Sequence, residues 1–122
     1  MSRSDLPTSR VEAAPTLLVI GCSTALGRRC RDAAIQAQTL VVETDVASAP
    51  TLAAQTRPLA MVMLDDVYSF DPPFFMALAS DVRSRLILLP DENVPQPELE
   101  SLILGAIGEA DAARESWRRD SF

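Results

Sequence analysis

An α/β domain built on a doubly wound parallel sheet is the fold this sequence predicts, and three observations predict it. Short, almost wholly apolar runs recur along the chain, and segments with apolar residues three and four apart stand between them. Hydrophobic residues make up 48% of the composition against 23% charged, enough for a real core. Runs without polar alternation suit strands buried on both faces, and a helix between successive strands is what parallel crossovers require. At 122 residues the chain has the length of one domain.

Residues 1–14 are polar and read as a flexible N-terminal arm, ahead of an α/β domain over 15–112 and a polar helix end or tail over 113–122. Thr16–Gly21 (TLLVIG) is the first strand, closed by glycine. Ser23 or Thr24 caps a helix over Ala25–Ala37, with Leu26, Cys30, Ala33, Ala34 and Ala37 on one face. Thr39–Asp45 is the second strand, and Ser48-Ala49-Pro50 opens a short helix to Gln55. Pro58–Leu64 is the third strand and the most uniformly apolar. Asp71-Pro72-Pro73 caps and starts a helix through Val82, and Arg85–Leu89 is the fourth strand, closed by Pro90. The last helix starts near Pro97 and buries a stripe of Leu99, Leu102, Ile103, Ala106, Ile107 and Ala110. Gly105 and Gly108 interrupt it at a cost of up to about 1 kcal/mol each relative to alanine, and close packing on the sheet is their expected role. Right-handed crossovers then lead to a flavodoxin-like strand order, 2-1-3-4, with a fifth strand if residues 91–96 hold one. The carboxyl ends of the strands, where such sheets gather functional groups, present Gly21-Cys22-Ser23, Asp45, Asp65-Asp66 and Pro90-Asp91-Glu92.

Composition trims the functions this rim could perform. The chain has no histidine and no lysine; all eleven basic side chains are arginine. Histidine titrates near neutral pH and is the commonest metal ligand. Lysine serves phosphate loops and Schiff bases, and arginine stays protonated and replaces neither. A net charge of −6 without a basic stripe argues against nucleic acid as a partner. No apolar run approaches the length of a membrane span, and Met1–Pro15 lacks the apolar segment of a signal peptide. Cys22 and Cys30 are then expected as reduced thiols in a cytoplasmic protein.

Thr56–Asp66 (TRPLAMVMLDD), an apolar strand ending in paired aspartates, resembles the third strand of a bacterial response-regulator receiver domain, and the layout over residues 16–110 is similar to that family's. The resemblance implies Asp65 at the phosphoacceptor position, with Asp66 as the neighbouring alternative. The departures are specific. Gly21-Cys22-Ser23 stands where receivers carry the carboxylates that hold Mg²⁺. Leu89-Pro90 replaces their Ser or Thr, and their lysine has no counterpart here. An aspartate without metal or lysine lacks the charge stabilisation of phosphoryl transfer. The family resemblance therefore implies a pseudo-receiver, without metal or cofactor, that binds a signalling or scaffold protein or forms a homodimer.

A second constellation competes. Cys22-Ser-Thr-Ala-Leu-Gly-Arg28 is a C-x5-R string after the first strand and is similar to the phosphate loop of low-molecular-weight protein tyrosine phosphatases. A cysteine at a helix N-terminus gains thiolate character, and an arginine clamps phosphate oxygens. Asp71-Pro72 resembles that family's acid, although it follows the third strand rather than the fourth. A phosphocysteine carrier of the sugar phosphotransferase type shares the layout and the cysteine. Gly21, Ala25 and Gly27 with Glu43 or Asp45 faintly resemble a short-chain dehydrogenase nucleotide loop, for which the chain is too short.

Plainer structural roles stand beside these. Cys30 reads as core, Asp71 as a helix cap, and Asp65 and Asp66 equally as a capping pair. Among Tyr68, Phe70, Phe74 and Phe75 at least one is expected in the core, and any left outside would form an interaction patch. Trp117 lies past the apolar stripe and suits either a helix-end contact or an interface.

Overall fold

A computed structural model describes residues 15–120, apart from the side chains of residue 111 and residues 114–120. The elements alternate as expected: β1 (Thr16–Ile20), α1 (Thr24–Ala34), a 3-10 turn (Ile35–Ala37), β2 (Leu40–Thr44), α2 (Ala49–Thr56), β3 (Ala60–Leu64), α3 (Asp65–Phe70), α4 (Pro72–Asp81), β4 (Arg85–Leu89) and α5 (Gln96–Asp120). The strands form one four-stranded, all-parallel sheet in the order β2-β1-β3-β4. This is a flavodoxin-like arrangement.

Side-chain alternation along β1 explains the two layers. Leu17 and Val19 point to one face, where α1 contributes Leu26, Cys30, Ala33 and Ala34 and α5 contributes Leu99, Ile103, Ile107 and Ala110. Leu18 and Ile20 point to the other, against Ala49 and Ala53 of α2 and Phe75, Leu78 and Ala79 of α4. A strand buried on both faces needs apolar residues at every position, and all five residues of β1 are buried. Each such leucine or isoleucine contributes about 1.5–3 kcal/mol relative to exposure.

Two expectations are corrected and one element is added. The last helix does not use its glycines to approach the sheet: among the described residues a Cβ at Gly105 or Gly108 would have no neighbour within 4 Å, so both face away from the sheet. Residues 91–95 hold no fifth strand among the described residues; they turn directly into α5. The helix that periodicity does not predict is α3, because six residues are too few to show a buried stripe. It starts directly at the end of β3 and stops where Asp71 leaves the helical region to cap α4.

Candidate functional site

The β1–α1 turn sits at the carboxyl end of the sheet and is set by one glycine. The backbone N–H of Gly21 donates to Thr44 O at 2.8 Å, prolonging the ladder past the strand. Its φ of 69° then swings the chain into Cys22, a conformation that favours glycine. A Cβ there would meet Val67 and Val46 at 3.6–3.7 Å, so these two valines close over the turn. Ser23 caps α1, its Oγ accepting from the Leu26 N–H at 3.1 Å.

What faces this helix N-terminus is a carboxylate of the chain itself. Ser23 donates its backbone N–H to Glu92 Oε2 at 3.1 Å and its hydroxyl to Glu92 Oε1. The start of a helix favours negative charge, so Glu92 sits where a bound oxyanion would. The loop that carries it is clamped by Arg29. That guanidinium donates Nε to Gln96 Oε1 at 2.9 Å, Nη1 to the Glu92 carbonyl at 3.0 Å and Nη2 to the Val94 carbonyl. Gln96 donates back to the Arg29 carbonyl at 3.3 Å. A planar five-donor fork can satisfy several acceptors at once in this way, where a lysine could not.

The geometry treats the candidate residues unequally. Cys22 is half-buried, and its thiol donates to the Ile20 carbonyl at 3.7 Å. Burial, reinforced by the nearby Cys30, Glu92 and Glu43, pushes the thiol up to about 12 from its ordinary 9.0. Cys22 therefore stays protonated at neutral pH, the reverse of an activated nucleophile. The five residues between Cys22 and Arg28 do not wrap an anion, because α1 begins at Thr24 and most of the string is already helix. Arg28 is exposed on that helix, and Arg29 is the arginine that reaches the rim. Asp71 is exposed and caps α4, its Oδ1 accepting from the Phe74 N–H at 3.4 Å. Cys30 is fully buried in the core, as its place on the helix face predicts.

Asp65 and Asp66 are both exposed in the first turn of α3, where they favour the helix dipole. Neither serves as the cap: the N-cap is Leu64, with no side-chain hydrogen bond. Among the described residues no group of three or more Asp, Glu, Cys or His could hold a metal ion.

The opposite half of the rim is apolar. Val46, Val67, Phe70 and Phe75 with Asp66 line a cavity of about 320 Å³. Phe75 is the core aromatic, packed edge-on to Phe74 with ring centres 5.0 Å apart and tilted to Tyr68 at 6.3 Å. Phe70 is 90% exposed, with Phe74 and Met76 also exposed nearby in sequence. The Trp117 side chain lies outside the described residues.

Sequence reasoning missed Arg29, Gln96 and the capping role of Glu92. Glu92 was visible as a rim residue, but its pairing with Ser23 spans 69 residues and leaves no local pattern. It also placed Glu43 only in a nucleotide-loop pattern, whereas Glu43 lies on Gly27, where a Cβ would overlap its carboxylate, and pairs with Arg31 at 2.5 Å. The chain matches no family model, and no curated protein or solved structure is significantly similar to it. No described helix is long and apolar enough to cross a membrane.

Proposed function

We propose that this chain is a receiver-like interaction module of bacterial signalling or scaffolding, non-catalytic and not switched by aspartyl phosphorylation. The observation that supports this most is Glu92, whose carboxylate takes the Ser23 N–H and hydroxyl at the start of α1. An oxyanion brought to that N-terminus would meet a like charge held in place by Arg29. Three further features favour the same reading: the protonated Cys22 thiol, the helical C-x5-R string and the exposed Asp65 and Asp66. In place of a polar catalytic rim the chain offers Phe70 and its apolar neighbours, the kind of surface that docks a protein. The module acts in the cytoplasm on a protein partner, or on a second copy of itself.

The competing reading, a phosphatase or phosphocysteine carrier, makes an opposite forecast. Incubated with a chromogenic aryl phosphate, the wild-type chain and Cys22→Ser will both show only background hydrolysis and no covalent phosphocysteine. Turnover or an adduct present in wild type and lost in Cys22→Ser would overturn the proposal.

A further inference from the structure

The sheet ends at β4, and the chemistry of that edge differs from that of the other. The Arg85 N–H donates to Leu59 O of the residue preceding β3 at 3.0 Å, so the backbone groups of Arg85, Ile87 and Leu89 turn inward. Those of Leu86 and Leu88 consequently turn outward, to the side where the sheet has no further strand among the described residues. Proteins usually guard such an edge with charge, proline or a bulge. The β2 edge follows that rule, with Glu43 in the strand paired to Arg31. The β4 edge is guarded only at its ends, by Arg85, which pairs with Glu109 of α5 at 3.8 Å, and by Pro90; between them its outward-bonding residues are two leucines, and Leu88 is 36% exposed.

Alongside this edge runs a groove of about 340 Å³ between β4 and α5, lined by Leu86, Leu88, Leu102, Gly105, Ala106 and Glu109 among others. Leu102 is 40% exposed at its wall. Gly105 weakens its helix and relieves no crowding among the described residues, since a Cβ there would meet none of them within 4 Å. Its small size instead keeps the groove wide.

We infer that the β4 edge pairs with the β4 edge of a second copy, antiparallel about a two-fold axis near Ile87, joining two four-stranded sheets into one. Charge selects both the occupant and the direction. Arg85, whose exposed guanidinium lies 3.8 Å from the exposed Glu109 carboxylate, opens β4, and Asp91 lies two residues past its end. Antiparallel pairing sets the basic end of each edge beside the acidic end of the other, twice by symmetry; parallel pairing would set like beside like. In the register centred on Ile87, Leu86 of each copy exchanges both backbone hydrogen bonds with Leu88 of the other. Directly opposed residues share a face, so Leu86 and Leu88 of the two copies form one apolar cluster and cover the exposed Leu88. The two α5 helices come together on the opposite face, where Gly105 and Ala106 permit a close approach.

This inference rests on the interaction-module reading by naming its partner, but its test is independent of the phosphate assays above. Sedimentation velocity over a concentration series will show a reversible dimer of the full chain, with far-UV circular dichroism confirming that each variant is folded. Leu88→Lys, at a position already part-exposed, will leave a monomer. Arg85 faces Leu89 and lies diagonal to Asp91 in this register, so Arg85→Glu and Asp91→Arg will each weaken the dimer about tenfold, and the double variant Arg85→Glu/Asp91→Arg will restore it, as charges of unlike and like sign at diagonal cross-strand positions require. A wild-type chain that stays monomeric throughout the series would overturn the inference and leave this edge to a different protein's strand. A dimer indifferent to Leu88→Lys, or charge variants without rescue, would also overturn it.

Discussion

Glu92 does at the start of α1 what a bound phosphate would do, and it does so from a loop that follows the last strand. Removing its charge tests that statement. Glu92→Gln keeps the shape and loses the charge, so it will lower stability by about 1 kcal/mol in urea titrations at neutral pH. Arg29→Lys will cost more than a surface substitution, because a lysine cannot satisfy both the Glu92 and Val94 carbonyls and Gln96. Cys22 carries two further predictions. With its thiol near 12, alkylation at about pH 8 will run on the order of 50-fold more slowly than for an ordinary cysteine, the scarcity of thiolate outweighing its greater intrinsic reactivity. Fast alkylation would contradict the half-buried, protonated thiol. Both thiols hold their protons more tightly in the fold than in the unfolded chain, Cys30 being pushed up by burial to about 11. That contribution to stability is complete below about pH 9 and declines as the pH rises toward 12. Urea midpoints measured across this range will fall less steeply for Cys22→Ser.

The elements were legible in proportion to their length and pattern. β1 and β3 declare themselves as unbroken apolar runs, and α1 by its stripe from Leu26 to Ala34. α3 leaves no such trace, since Asp65–Phe70 buries none of its residues fully. Gly105 and Gly108 misled for a related reason: composition shows that a glycine is present but not which way it faces. Their open surroundings yield a prediction for the element. Gly108→Ala places a methyl group in open space within a helix, and it will stabilise the chain by about 0.5–1 kcal/mol in urea or thermal unfolding. A loss of stability would mean that Gly108 has a close neighbour after all. Gly27 behaves oppositely, because a methyl group there would displace the Glu43 carboxylate that Arg31 holds.

For the molecule as a whole, strand order follows from few rules: right-handed crossovers and burial on both faces lead to β2-β1-β3-β4. The rim is less legible, because its halves are assembled from the ends of all four strands, far apart in sequence. One half holds Glu92 over α1; the other exposes Phe70 beside Val46 and Val67. Phe70→Ser will change stability by less than about 0.5 kcal/mol, as befits a side chain so exposed, and will abolish docking to any partner that uses this surface. The pseudo-receiver proposal is tested most directly by exposing the folded chain to acetyl phosphate with Mg²⁺ and measuring its intact mass. The account predicts an unmodified chain. A phosphoryl adduct that forms on the wild type and disappears in Asp65→Asn would contradict it.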